Sequence, residues 1–350
     1  MPLIRENPSE SDKIRGQLSK KSLFRQAIWL GLIVLFLIGF FIARNSEKQE
    51  QLFKRTQILL GTVVEIQIRE IDETKADNAI SKAFDEIKRI DKLFTTFDQA
   101  SPVWKINNSS DTILRIDEEI YNLLVLCDSV TKLSNSCFDV SLNNLWKVWG
   151  FDSQSYKLPT KREIDSALNL SGWNNLKLSG DYKIIKSKNV ELNFGAVAKG
   201  YAVDKAIDVL KNSGIESALV NAGGEVKVIG KDWKVGIQHP RDSRDLVGVV
   251  KLSDNSIATS GDYEQYFEVD GKRYHHILNP KTGYPSTGIQ SVSIINKSNA
   301  FADALATAVF VMGVKDGMNL IEKLENTEAM IIDEKGEIFY SSNFANYLIR

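Results

Sequence analysis

Apolar and polar residues alternate from Val64 to Ile68, and the segment Ile58–Ile68 predicts a strand. The period then changes. Ile80, Ala83, Phe84, Ile87, Ile90, Phe94 and Phe97 recur at three- and four-residue steps, which predicts an amphipathic helix over Thr74–Phe97. The same spacing predicts a helix over Glu118–Leu133 with Asp117 as its N-cap. A short helix over Thr160–Leu168 is opened by Pro159-Thr160 and closed near Gly172. Lys183–Leu192 reads as strand and is followed by a glycine-bearing turn and a helix from Ala198 to Asn212, ended by Gly214. Between Ile215 and Ile295 short strand-like runs succeed one another, and Asp270-Gly271 between two of them signals a hairpin. An apolar helix over Ala300–Met312, a second over Lys315–Leu324 and a last pair of strands complete the chain. Strands in succession with helices clustered around them predict an α+β fold with mixed, largely antiparallel sheets.

The N-terminus follows a different pattern. Gln26–Ala43 (QAIWLGLIVLFLIGFFIA) is uncharged and apolar on every side. As a helix it spans about 27 Å, close to the roughly 30 Å of a bilayer core. Arg5, Lys13, Arg15, Lys20, Lys21 and Arg25 precede it, whereas the basic residues after it are interleaved with Glu47 and Glu50. That bias predicts a single-pass anchor in the cytoplasmic membrane, with the N-terminus inside and the body on the extracytoplasmic (periplasmic) side. A cleaved signal peptide is the competing reading, but the run is longer than a usual signal core and no A-x-A site follows. The expected organisation is a cytoplasmic segment 1–25, an anchor 26–43, a linker 44–56 and one folded domain 57–350.

Composition narrows the function. With 44 basic and 45 acidic side chains the formal charge is −1, which argues against a nucleic-acid partner. Two cysteines without a CxxC and three histidines (His239, His275, His276) exclude a disulfide scaffold and leave little room for zinc. Cys127 and Cys137 are free to pair in an extracytoplasmic body, but their spacing does not demand it.

Four segments carry candidate chemistry. In ELNFGAVAKGYAVD (191–204) a small-residue turn opens a helix beside Lys199, which suits a phosphate but also describes an ordinary strand-to-helix turn. Two glycines in Asn221–Glu225 read first as a tight hairpin turn. In HHILNPKTGYP (275–285) one of the adjacent histidines faces a given site while the other packs; two surface histidines before a loop is the alternative. Asp303 and Thr307, four apart on the apolar helix, present hard oxygen atoms on one face and suit Mg²⁺. Alternatively, Asp303 pairs with the helix dipole and Thr307 bonds back to its own helix.

Together these blocks, with VNAGGE (220–225) and ADALATAVFVMG (302–313), closely resemble the FAD:protein FMN transferase family, the ApbE-type flavin transferases. The resemblance runs from about Leu60 to the C-terminus and implies a flavin transferase-like fold. It also implies an enzyme that uses FAD as substrate and Mg²⁺ as cofactor. Such an enzyme moves FMN onto a threonine hydroxyl of an acceptor protein, a membrane redox subunit by family likeness, and releases AMP. By this resemblance Asp303, Thr307 and the carbonyl of Ala196 hold Mg²⁺. Leu60, Gly61 and Thr62, with Leu60 where the family has Met, contact FAD, as do Thr95, Thr96, Phe97, Asp139, Asn193, Lys199 and Ile277. The threonine hydroxyl needs a base, for which His276 is the first candidate and His275 the second. Asn193 and Asn279 stand where many relatives have Asp. Two further readings stay open: a Mg²⁺-dependent FAD pyrophosphatase giving FMN and AMP, and a non-catalytic, membrane-anchored flavin-binding protein.

Overall fold

Leu60 and Gly61 both take left-handed backbone, φ 54° and 69°, and they fold the predicted strand 58–68 in two. β1 (Gln51–Leu59) turns back into β2 (Thr62–Glu70), with Leu59 opposite Thr62. Two-residue turns with both φ values positive match the twist of the strands they join. β1 shows no period of its own because it is an edge strand with most of its side chains in solvent. Gln51–Thr56, read as part of a linker, are therefore strand, and the folded unit runs from Gln51.

The computed structural model describes residues 24–25, 28–37, 50–153 and 155–349. Met1–Glu50 and Gln51–Arg350 form separate units. Of the predicted anchor 26–43, residues 28–37 are described and are helical and exposed; the rest of it lies outside the described residues. Among the described residues no helix is long and apolar enough to cross a membrane.

The body is built on an eight-stranded sheet in the order β1, β2, β6 (Ala218–Ala222), β7 (Glu225–Ile229), β10 (Ser256–Gly261), β13 (Ile289–Asn296), β14 (Glu328–Asp333), β15 (Ile338–Tyr340). Every pairing among the described residues is antiparallel, so the expected mixture of directions is absent there. β3 (Ile113–Arg115), β4 (Leu176–Leu178) and β5 (Lys183–Lys186) form a small sheet; β8 (Trp233–Gln238) pairs with β9 (Leu246–Leu252), and β11 (Tyr266–Val269) with β12 (Lys272–His275). The β11–β12 turn is the predicted Asp270-Gly271, both at positive φ.

One face of the large sheet packs on three helices, Glu73–Phe94, Ala198–Asn212 and Asn299–Met312, through Val64, Ile66, Ile68, Val220, Val292 and Ile294. The other face, through Leu219, Val226, Val228, Ile257 and Ile295, packs on Trp233, Val235, Val250 and Leu252. The 73–94 helix starts where Asp72 accepts the Lys75 N–H and buries Ile80, Phe84, Ile87 and Ile90. Each such side chain contributes roughly 1.5–3 kcal/mol. It ends at Phe94 because Thr95 turns extended, so Phe97, predicted on its apolar face, stands 70% exposed on the following loop.

Sequence patterning overestimates one strand and misses two helices. Only Lys183–Lys186 of the run 183–192 is strand. The Lys186 amine, 2% exposed, donates instead to the carbonyls of Lys188 and Val190 and holds the chain in a loop. The missed helices are Pro102–Asn108, capped by Ser101 with Pro at its first position, and Asn143–Trp149. The second packs Leu145 and Trp149 with Phe151, Ile164 and Leu278 into a third core cluster. Cys127 and Cys137 are both free thiols.

Candidate active site

A cavity of about 720 Å³ opens where the β1–β2 turn, the loop 95–97, the 194–199 turn, the ends of β7 and β10, the 276–280 segment and the 299–312 helix converge. Leu60, Gly61, Thr62, Thr95, Thr96, Phe97, Asp139, Asn193, Ala196, Lys199, His276, Ile277, Asp303 and Thr307 all line it. Of the residues predicted for the site, His275 alone does not.

The turn before the 198–212 helix is held by side chains. Asn107 clamps Leu192 by donating to its carbonyl (2.8 Å) and accepting its N–H (2.7 Å). The Asn193 side-chain oxygen accepts the Gly195 N–H at 2.8 Å. Gly200 is required by space rather than by φ: a Cβ there would lie 2.4 Å from the Asn299 carbonyl oxygen and 2.8 Å from Asp303 Cβ. That close approach brings the Gly200 N–H to Asp303 Oδ2 at 2.9 Å.

Lys199 does not project freely. Its Nζ lies 2.6 Å from Glu225 Oε1 and 3.6 Å from Glu264 Oε2. Glu225, 1% exposed, accepts the Thr259 N–H with its other oxygen. Burial opposes the charged form of Lys199, but the carboxyls of Glu225, Glu264 and Asp303 outweigh it and hold the amine protonated well above its ordinary range. Burial pushes the Asp303 carboxyl up to about 6, against the pull of Lys199 and the Gly200 N–H. Burial also pushes Glu225 upward, again opposed by Lys199. Three carboxyls therefore surround one ammonium group, and the pocket is short of positive charge.

Asp303 and Thr307 stand one turn apart on the 299–312 helix. Asp303 is 4% exposed, and Thr307 Oγ1 lies 3.1 Å from Ser260 Oγ. This side-chain partner replaces the predicted alternative of a bond back to its own helix. Among the described residues no group of three His, Cys, Asp or Glu side chains is placed to hold a metal. The hard oxygen atoms of Asp303 and Thr307 and the charge deficit, in a cavity that the turn at Ala196 also lines, fit Mg²⁺, which takes few protein ligands and completes its shell with phosphate and water.

The two histidines divide as strand geometry requires. His275 is 4% exposed and packs edge-on against Phe310. Its Nε2–H donates to the Ser286 carbonyl at 2.8 Å and its Nδ1 accepts the Ile277 N–H. Both ring nitrogens are used and face the interior, so the second candidate for the base is corrected to a packing residue. His276 lines the cavity. Its Nδ1 lies 3.2 Å from the Gln265 carbonyl; a carbonyl only accepts, so Nδ1 carries the proton and Nε2 keeps its lone pair. Burial, with Lys199 adding, lowers its pKa to about 4 and keeps the ring neutral at pH 7. Trp146 meets the ring edge to face, with centroids 6.0 Å apart.

Asp139 borders the cavity, yet its carboxylate is committed elsewhere. One oxygen accepts from the N–H and hydroxyl of Ser141, the other from the Trp173 N–H at 2.7 Å. It ties two loops together, and the oxygen that accepts from Trp173 keeps room for one further hydrogen bond. Asn279 caps its own turn by accepting the Lys281 N–H. Sequence reasoning missed Glu225, Glu264, Gln265, Ser260 and Trp146. Glu225 had a signal, an acidic residue directly after two glycines within a motif already singled out, but the turn alone was read there.

The profile of the ApbE family matches residues 60–331. The FAD:protein FMN transferase of Klebsiella pneumoniae (strain 342) is 29% identical over 297 residues, 83% of this chain and 92% of that protein. The FAD:protein FMN transferase of Vibrio cholerae is 30% identical over 79% of this chain and 84% of its own length. Among solved structures, the ApbE protein of Thermotoga maritima superposes with a TM-score of 0.80 at 33% identity, covering 86% of this chain and all of that one. The flavin transferase ApbE from Vibrio cholerae gives 0.76 at 26%, with 85% of this chain covered. A profile matched over most of the body, relatives matched along most of their length and a shared α+β fold agree: the chain belongs to the ApbE family.

Proposed function

We propose that this chain transfers the FMN moiety of FAD to a threonine hydroxyl of a partner protein and releases AMP. The observation that carries the reading is that His276, Lys199 and the Asp303–Thr307 pair line one cavity, with a neutral histidine nitrogen free to accept a proton. Asp303, Thr307 Oγ1 and the Ala196 carbonyl would hold Mg²⁺. When bound, the ion supplies the positive charge that neutralises the pyrophosphate oxygens. Lys199, kept protonated, adds a full charge for those oxygens.

His276 Nε2 takes the proton of the acceptor threonine as its Oγ forms a bond to the FMN phosphorus. The bond from that phosphorus to the bridging oxygen breaks, and its electron pair leaves with AMP. The Gln265 carbonyl holds the tautomer that this step needs, and Trp146 fixes the plane of the ring. Phe97, on the cavity wall and mostly in solvent, marks a side from which an acceptor reaches the bound flavin nucleotide.

We further place the apolar run 26–43 in the cytoplasmic membrane with the body outside. The uncharged stretch and the basic residues before it support this orientation, which would bring the body to the face where membrane redox subunits expose acceptor threonines.

The test uses the full chain with FAD and Mg²⁺, with and without a protein carrying an acceptor threonine, and follows AMP and protein-bound flavin. AMP formed only with acceptor, in step with covalent flavin, is expected. AMP with free FMN in the absence of acceptor makes the chain a pyrophosphatase, and no AMP in either case makes it a flavin binder.

A further inference from the structure

We propose that Asp204, outside the cavity, is a positioning residue that sets the register of the helix carrying Asp303 and Thr307. This rests on the reading of those two residues as Mg²⁺ ligands. Asp204 lies on the 198–212 helix one turn after Gly200. Its carboxylate accepts four bonds: from the Asn299 N–H (2.9 Å), the Ala300 N–H (3.0 Å), the Ser298 hydroxyl (3.0 Å) and the Lys227 amine (2.6 Å).

Three of those donors form the start of the 299–312 helix. Ser298 already caps that helix by accepting the Phe301 N–H, so Asp204 is a second acceptor, and a charged one, on the same terminus, where backbone N–H groups and the helix dipole favour negative charge. The contacts are also in register. Gly200 meets Asp303, and Asp204, one turn on, meets Asn299, one turn back. Two points of attachment a turn apart fix both the slide and the rotation of one helix against the other. Slide and rotation decide whether Asp303 and Thr307 face the cavity, and with Gly200 unable to accept a Cβ the interface has little play.

Mn²⁺, a hard cation with the same preference for oxygen, reports on the site without catalysis when titrated into the full chain, free ion being followed by electron paramagnetic resonance. We expect Asp204→Asn to weaken Mn²⁺ binding about tenfold or more. Asp204→Glu keeps the charge but displaces the contact, and should do the same. Lys227→Met removes the ion pair without touching residues 298–300; it should lower Tm yet leave Mn²⁺ affinity within twofold. If Asp204→Asn fails to fold, Ser298→Ala carries the test: losing one hydrogen bond corresponds to about a fivefold weakening. Mn²⁺ affinities of the Asp204 variants (or, where it is used, Ser298→Ala) within twofold of the parent overturn the proposal. So does a Lys227→Met effect equal to that of Asp204→Asn, which assigns the effect to charge rather than register. If the parent chain itself does not bind Mn²⁺, or binds it equally well as Asp303→Asn, the metal reading falls and this inference with it.

Discussion

Asn193 donates its side-chain N–H to the side-chain oxygen of Asn143 at 3.0 Å. The direction of that bond is fixed from outside, because Asn143 gives its own amide N–H to Glu191 at 2.7 Å. A carboxylate at 193 would set an acceptor against an acceptor, and Asn143 cannot flip without losing Glu191. Asn193 thus suits this neighbourhood better than an Asp would. Asn193→Asp is expected to lower stability by about 1–3 kcal/mol, the cost of an unsatisfied buried group, read as a drop in the midpoint of denaturant unfolding. The double variant with Glu191→Gln should recover part of it.

Gly200→Ala separates two opposed effects. On an exposed helix the change stabilises by about 1 kcal/mol. Here the new Cβ meets backbone at 2.4 Å, and neither helix gives way cheaply. We expect a net loss of about 1–3 kcal/mol, as for overpacking in a core, with transferase activity falling further than the loss of folded protein explains.

Asp303 is held in a place that does not favour its charge. Its pKa is about 6 in the folded chain against about 3.9 for a free carboxyl. Between these values the unfolded chain binds fewer protons than the folded one, so stability falls as pH rises through that window, and above it, as at pH 8, the cost is complete and constant. Asp303→Asn should therefore melt at a higher temperature than the parent at pH 8 without divalent ions, while losing its turnover. Added Mg²⁺ should raise the Tm of the parent and leave the variant unmoved.

The buried histidine gives the opposite sign. Burial lowers His275 to about 4, below the roughly 6.5 of the unfolded state. Its contribution is complete above pH 6.5 and is lost as pH falls toward 4, because the unfolded chain takes up the proton first. Tm measured from pH 7 to pH 4 should fall less steeply in His275→Gln than in the parent.

His276 predicts a kinetic signature instead. With its pKa near 4, the acid limb of kcat/KM in the parent should lie below pH 5 rather than near 6.5. His276→Ala should lower kcat about 10²-fold or more while FAD binding persists. An acid limb at 6.5 that persists with saturating Mg²⁺, which keeps Asp303 ionised, would assign the proton transfer to another group.

Much of this arrangement was legible from residue spacing. Ile80, Phe84 and Ile87 announced their helix because one face is buried and the other wet. The Asp270-Gly271 turn was equally plain. Spacing also put Asp303 and Thr307 on one helix face, but left open whether they pair with a metal or with their own helix. What stayed hidden depends on partners distant in sequence. β1 lacks a period because one edge of the sheet is open. Residues 187–192 read as strand, although the Lys186 amine binds the carbonyls of Lys188 and Val190 and holds them in a loop. Strand alternation says that one of His275 and His276 faces the cavity, but which one depends on Phe310 and Ser286 on one side and Gln265 on the other. Glu225 was visible as a residue and invisible as a partner of Lys199, since that pairing joins the end of a hairpin to a helix on another layer.

The sheet order carries a consequence for how the protein comes into being. β2 pairs with β6, so residues 64–68 wait for 218–222 before they have a second neighbour, and the cavity draws on positions from Leu60 to Thr307. Pairings this remote must close long loops before they gain stability, and they make folding slow. A chain interrupted during synthesis before Thr307 lacks part of the cavity wall. FAD binding thus reports that the whole body has reached its native state, and the reactive centre arises late, after the chain's two halves have met.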